Sequence, residues 1–241
     1  MKRLIASIAV IGAVSLGATS ANATIATFFD DYTIGPVTFD STVAGAGGTV
    51  VTDNWAALPT GTSIVRTDYT ITKNNGAIMS PGPYSYGAVS TSGETININP
   101  SSADVNASRA GSALRFTFNT AVNAIGFEVG DWATCCAPSS LFISFDGGAP
   151  ILVGTSLTPG DQFLTGGTPN VFVGAIDDTA SFSVVEFWGN GLGEFLVAGG
   201  TIRYANVDEG SLPPSVPEPG MIAMFGLGLL GLGLARRRRR A

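Results

Sequence analysis

Apolar and polar residues alternate one by one along several segments of this chain, and this pattern limits what the chain can fold into. The alternation runs through 112–118 and recurs at 125–129 and at 141–145. Because successive side chains of a strand point to opposite faces, it is typical of half-buried β-strands. No window shows the apolar spacing of an amphipathic helix of ordinary length. We therefore predict an all-β body.

Glycine-rich turn signals separate these segments. Asp146-Gly147-Gly148 stands before the apolar segment 149–153 and predicts a hairpin, since glycine readily takes the positive φ that such turns need. Three further strands are predicted at 171–176, 182–188 and 195–206. About ten to fourteen short strands in one body predict a single β-sandwich or jelly-roll-like domain, which we place at 24–210.

The N-terminus has the features of an export signal. Lys2 and Arg3 precede an apolar run at 4–18, and small residues, Ala21 and Ala23, follow at the positions that signal peptidase reads. An uncut membrane anchor is the alternative, but the run is short for a spanning helix. We predict a signal peptide, helical in its apolar part, at 1–23, and hence an exported chain.

The C-terminus has three parts in a fixed order. A short box comes first, followed by an apolar run at 221–235 that is also predicted to be helical and then by a basic end. The box is Val216, Pro217, Glu218 and Pro219, and the basic end is Arg236, Arg237, Arg238, Arg239 and Arg240. As a helix the run would be about 22 Å long, against a hydrocarbon core of about 30 Å. This marginal length suits a transient stay in the inner membrane, with the arginines as a cytoplasmic stop-transfer signal.

Residues 216–241 thereby resemble the PEP-CTERM sorting signal of Gram-negative bacteria. A Gram-positive cell-wall signal would need an LPxTG-like box, which is absent, and a simple tail anchor would need no Pro-Glu-Pro. The resemblance implies processing by an exosortase-like enzyme near 217–220, release to the cell surface or the medium, and association with exopolysaccharide. The proline-containing segment 211–215 is predicted to be a stiff spacer before the signal.

Composition excludes several functional classes. The chain has no histidine, which removes Ser-His-Asp triads and most zinc sites. Between the two end signals, five basic residues stand against 17 acidic ones, a net charge near −12. This negative charge would repel the phosphate backbone of a nucleic acid and argues against nucleic acid as a partner. We predict no cofactor and no metal site; oxygen ligands could bind calcium, but Asp177-Asp178 lacks EF-hand spacing and is better explained as a turn.

The only cysteines, Cys135 and Cys136, are adjacent. In an oxidising compartment they could form a vicinal disulfide that stiffens the loop at 131–138. Two free thiols or an intermolecular bridge are the alternatives.

Two groups of residues are candidates for glycan binding. Glu128, Asp131 and Trp132 stand at a strand end beside the cysteines, and Trp188 and Asn190 stand at another. An aromatic ring beside carboxylates or amides can stack on a sugar while the oxygens bind its hydroxyls. The alternative is that both tryptophans are core residues.

Function follows from these features as an expectation. We predict no catalytic residues and a non-enzymatic structural or adhesive protein associated with exopolysaccharide. A lectin-like carbohydrate-binding module is the second possibility. A carboxylate-dependent glycan hydrolase is the third, since glutamates are available at Glu94, Glu128, Glu186 and Glu194, with Glu186 expected on a solvated strand face.

Overall fold

The computed structural model describes residues 25–98, 111–160, 170–190 and 196–213. In these ranges the chain forms thirteen strands and one helix, α1 (Gly35–Gly45). The strands are β1 (Ile25–Asp31), β2 (Val51–Asn54), β3 (Ser63–Val65), β4 (Tyr69–Lys73), β5 (Gly82–Tyr86), β6 (Val89–Ile98), β7 (Leu114–Val122), β8 (Ala124–Gly130), β9 (Ser139–Phe145), β10 (Ile151–Ser156), β11 (Val171–Asp177), β12 (Phe182–Gly189) and β13 (Leu196–Ala205). The predicted signal peptide at 1–23 and sorting signal at 216–241 lie outside the described residues.

Two antiparallel sheets form a β-sandwich, which confirms the predicted fold class. The first sheet has seven strands in the order β1-β11-β8-β13-β6-β5, with β2 also paired to β13. The second sheet has six strands in the order β10-β9-β12-β7-β4-β3. The alternating segments form β7, β8 and β9, and Asp146 and Gly147, with φ of 43° and 72°, form the predicted hairpin turn between β9 and β10.

The main hydrophobic core lies between the two sheets. Its centre is aromatic: Phe127 of β8 stacks on Phe116 of β7 at 5.9 Å between ring centroids, and meets Phe187 of β12 edge-on at 4.8 Å. All three rings are fully buried, and the burial of each contributes about 1.5–3 kcal/mol. Contacts of this kind hold the two sheets face to face.

Helix α1 packs on the outer face of the first sheet, where it covers a second, smaller apolar cluster. Phe39 and Val43, one turn apart, are fully buried there, and Phe39 meets Phe172 of β11 edge-on at 5.8 Å. Gly126 makes room for this layer, since a Cβ on it would lie 2.4 Å from the Phe172 ring. The sequence pattern did not predict a helix at this position. Polar and β-branched residues fill α1, and it is held by two apolar side chains on the sheet rather than by a helical pattern of its own.

The packed domain continues to Leu212. This residue is 4% exposed and belongs to the second cluster, and its N–H donates to the Asp178 carboxylate at 2.8 Å. Neighbouring Asp177 accepts from the Thr179 N–H at 3.1 Å, as in the turn expected for this acidic pair. Packing thus runs two residues beyond residue 210, into the predicted spacer at 211–215. Of the described residues, none belongs to a helix with the length and apolar character that crossing a bilayer requires.

Candidate functional site

The predicted glycan-binding tryptophans are fully buried. Trp132 meets Phe29 edge-on at 5.6 Å, and its Nε1 donates to the Ser139 hydroxyl at 2.8 Å. Trp188 stacks on Phe142 at 5.6 Å between ring centroids. Neither ring presents a face to solvent, so of the two readings that the sequence left open, the burial supports core residues and not exposed aromatic rims. The glycine-rich loops nearby suggested exposure, and only the packing of other strands shows that the rings are covered.

The two predicted groups nevertheless meet at one end of the sandwich. The Ser139 hydroxyl, which accepts from Trp132, donates to the Asn190 carbonyl oxygen at 2.7 Å. The side-chain oxygen of Asn190 accepts from the Ser140 N–H, also at 2.7 Å. These polar groups therefore form hydrogen bonds within the protein, and they connect the start of β9 to the end of β12.

Glu128 also has a role within the fold. Its carboxylate is buried and accepts from the N–H of Ser92 at 2.7 Å, from the Ser92 hydroxyl and, at 3.5 Å, from the Thr201 N–H. It fills a slot at the bulge of β13, where a Cβ on Gly200 would lie 2.6 Å from its carboxyl carbon. Glu128 was expected at an exposed rim, but its carboxylate fills a gap in the first sheet.

Asp131 is the one predicted carboxylate that lies beside an accessible surface. It is half-buried, has a φ of 59° and begins the loop that contains the Cys135–Cys136 disulfide. Burial raises its pKa, against hydrogen bonds to Tyr84 and Thr134 that lower it. A left-handed backbone at a non-glycine residue is uncommon and often marks functional loops.

Tyr84 lies next to Asp131, and the sequence analysis did not identify it as a site residue. Two strands separate β5 from β8 in the sheet order. Even so, a Cβ on Gly130 of β8 would lie 2.5 Å from Cε1 of Tyr84. The β5–β6 hairpin therefore curls over the outer face of the first sheet. Burial raises the pKa of Tyr84 and the Asp131 carboxylate raises it further, so this hydroxyl stays protonated and can donate to Asp131.

A groove of about 240 Å³ lies under this hairpin. Its lining includes Ser80, Pro83, Tyr84, Thr95, Asn97 and Val197, and carries no charged side chain. Thr95 and Asn97 alternate along β6 with Ile96 and Ile98 of the main core, so both face outward. This polar row, and the spacing of two tyrosines at 84 and 86, are the sequence signals that could have found the groove.

Asn170 adds an unusual polar group beside the same ring. It is 2% exposed, and neither its Oδ1 nor its Nδ2 has a hydrogen-bond partner in the described part of the chain. Its Oδ1 lies 3.0 Å from the position that a Cβ on Gly130 would take, next to the Tyr84 ring. Buried amides are nearly always satisfied, so this one calls for an explanation.

Glu186 differs from its expected position as well. It is buried on the outer face of the second sheet, where its carboxylate accepts from Asn74 Nδ2 at 3.0 Å and from Arg115 and Ser144 at 3.4 Å. The solvated position expected for Glu186 is wrong, because Asn74, Arg115 and Ser144 surround its carboxylate. No group of three or more metal-ligating side chains occurs in the described ranges.

Comparison with solved structures finds matches at low identity. A family 29 carbohydrate-binding module aligns with 71% of this chain and 98% of its own, at 11% identity and a TM-score of 0.38. A mutant of the module CBM29-2 aligns with 67% and 95%, at 12% identity and 0.37. The catalytic domain of a GH87 α-1,3-glucanase aligns with 69% of this chain and 31% of its own, at 14% identity and 0.37.

Sequence comparison identifies the C-terminus. No curated protein matches the chain. The family model of the PEP-CTERM protein-sorting motif matches residues 215–240, which include the Pro-Glu-Pro box, the apolar run and the arginines. The chain therefore carries the PEP-CTERM sorting motif that its C-terminal sequence predicts.

Proposed function

We propose that this chain is exported, sorted by an exosortase-like enzyme through its C-terminal motif, and delivered to the cell surface or the surrounding matrix. There its β-sandwich has a non-enzymatic structural or adhesive role in association with exopolysaccharide. The observation that carries the proposal is the match of residues 215–240 to the PEP-CTERM motif. The predicted signal peptide at 1–23 supports export.

The boundary between domain and motif supports processing without loss of the fold. Leu212 is the last buried apolar residue of the described chain, and its N–H is anchored to Asp178. The matched motif begins three residues later. Cleavage near 217–220 would therefore remove no residue of either described apolar cluster, so the released domain keeps its stability.

The positions of two buried carboxylates favour a non-enzymatic role. Glu128 lies on the outer face of the first sheet and Glu186 on that of the second, since their strand neighbours belong to the core between the sheets. Packed sheets lie about 10 Å apart, and both carboxylates point away from that gap. Their separation therefore exceeds the upper limit of about 9.5 Å for a glycosidase pair.

The test is a comparison of processing in the native host. Full-length chain with Pro217→Ala and Glu218→Ala together is compared with wild type and with Glu209→Ala, an exposed acid outside the matched motif. Mass spectrometry of the C-terminus and fractionation between membrane, matrix and medium are the measurements. We expect wild type and Glu209→Ala to lose the tail and reach the matrix, and the double variant to stay in the membrane with its tail.

Equal processing of all three proteins would contradict sorting through the motif. The exopolysaccharide link is tested separately, in a strain that makes no exopolysaccharide. There, mature protein is expected to move from the matrix fraction to the medium, and an unchanged distribution would contradict the link.

A second candidate function is a lectin-like carbohydrate-binding module. The observation that favours it is the uncharged groove beside Tyr84 and Asp131. It is compatible with the adhesive role, because weak contacts repeated along a polymer can add up to firm attachment.

A further inference from the structure

The groove beneath the β5–β6 hairpin has the parts of a small ligand site: a concave volume of about 240 Å³, an aromatic wall and a polar floor. At roughly 30 Å³ per water it has the volume of about eight waters, which is enough for a sugar ring. We infer that this groove binds a neutral glycan, with Tyr84 as the stacking wall and Asn97 as the hydrogen-bonding group of the floor. The inference rests on the proposed association with exopolysaccharide and names the site of contact.

The aromatic wall is held in position before any ligand arrives. The Tyr84 ring rests against Gly130, where any Cβ would collide with it, and its hydroxyl lies close to the Asp131 carboxylate. Tyr84 is half-buried, and Tyr86, two residues along the same edge strand, is 45% exposed. A fixed ring loses little freedom on binding, which favours affinity.

Asn97 is the hydrogen-bonding group of the floor. Thr95 is 3% exposed and its hydroxyl donates to the carbonyl oxygen of Gly82 at 3.1 Å, so it shapes the floor rather than binding the ligand. Asn97 is exposed, and its amide supplies both a donor and an acceptor. Paired donors and acceptors match the vicinal hydroxyls of a sugar.

Charge selects a neutral ligand. The groove lining contains no lysine or arginine that could bind a carboxylate or sulfate. The carboxylate of Asp131, behind Tyr84, and the net charge near −12 of the body repel polyanions. Polysaccharides rich in uronic acid are therefore disfavoured relative to neutral ones.

The experiment measures binding by the full-length chain, purified in mild detergent so that the result does not depend on processing. The probes are neutral hexasaccharides of glucose, mannose, galactose and xylose, with alginate as the anionic comparison, titrated by calorimetry. The variants are Asn97→Ala, Tyr84→Ala and Tyr84→Phe. Thr117→Ala is the matched control, since Thr117 is an exposed strand residue on the outer face of the second sheet.

We expect saturable binding of at least one neutral hexasaccharide and none of alginate. Asn97→Ala and Tyr84→Ala should each weaken binding about tenfold, as loss of a ligand hydrogen bond or stacking surface does. Tyr84→Phe, which keeps the ring, should stay within about threefold, and Thr117→Ala should be unchanged. Should Tyr84→Ala fail to fold by circular dichroism, Asn97→Ala decides alone, because its exposed side chain supports no packing.

Absence of neutral-glycan binding by the folded wild type would overturn the inference. So would tighter binding of alginate, or binding that Asn97→Ala leaves intact. Because the tail is present throughout, failure here leaves the sorting result standing, and failure of sorting leaves a binding result standing.

Discussion

Replacing Gly200 by alanine is expected to destabilise the sandwich far more than the same replacement at Gly76. Both glycines have a positive φ, 71° and 68° respectively. Alanine therefore pays a similar backbone penalty of about 1–2 kcal/mol at each position. Their surroundings differ: a Cβ on Gly200 would lie 2.6 Å from the carboxyl carbon of Glu128, whereas a Cβ on Gly76 would meet no atom within 4 Å.

The magnitude of the difference follows from the contacts of Glu128. Its carboxylate is buried and bound by the Ser92 N–H at 2.7 Å and by the Ser92 hydroxyl. Moving it away from a new methyl group breaks hydrogen bonds to a charged group, each worth about 1.5–3 kcal/mol. We therefore expect Gly200→Ala to lose about 3–5 kcal/mol of unfolding free energy and Gly76→Ala about 1–2 kcal/mol.

Urea unfolding of the purified protein, followed by tryptophan fluorescence, measures this difference. All three tryptophans are fully buried, so their emission reports loss of the core. The double variant Gly200→Ala with Glu128→Ala should cost less than the sum of its two single variants, because the truncated side chain no longer collides. Equal urea midpoints for Gly200→Ala and Gly76→Ala, or strictly additive free energies in the double variant, would show that the Glu128 carboxylate does not fill the gap at the bulge.

Three further predictions concern other parts of the domain. Burial alone would raise the pKa of Asp53, but hydrogen bonds, led by that from Arg66, outweigh burial and lower the pKa. The stability that the ionised carboxylate contributes is present above its ordinary pKa of 3.8 and is lost as pH falls through its lower pKa in the folded protein. The melting temperature of wild type should therefore fall more steeply below about pH 4 than that of Asp53→Asn, and parallel curves would contradict this. Phe39→Ala should lower the unfolding free energy by about 3–5 kcal/mol while far-ultraviolet circular dichroism keeps its strand signal; a full loss of that signal would show that the sandwich depends on α1. Gly130→Ala should displace the Tyr84 ring, seen as a changed tyrosine chemical shift by NMR, and an unchanged shift would show that the ring does not rest on that glycine.

Local chemistry explains why most strands could be predicted. Where a strand has one face on the core and one outside, as β7 does, its sequence alternates, and this is visible without any knowledge of its neighbours. The turn at Asp146-Gly147 is likewise local, since its residues tolerate positive φ. Helix α1 escaped prediction because its stability comes from the sheet surface beneath Phe39 and Val43, which lies far away in sequence.

The same distinction between local and long-range features decides which residues of the candidate site could be predicted. Asp131 was found from its position at a strand end beside the cysteines, a local feature. Tyr84 was not, because its contact with Gly130 joins strands that are 46 positions apart and not adjacent in the sheet. Whether Trp132 and Trp188 are rim or core residues stayed open, because sequence shows the loops next to them but not the strands that cover them.

By itself, the sequence determined the sorting motif and the all-β character of this protein. Both depend on neighbouring residues: the motif is read as a linear string, and strand periodicity is a property of the local backbone. Only the tertiary structure decided which rings are buried, that Glu128 fills a bulge and that a neutral groove lies beside Tyr84. Those properties arise from long-range strand pairing and from the curl of one hairpin over the sheet, which bring together residues whose order along the chain gives no sign of contact.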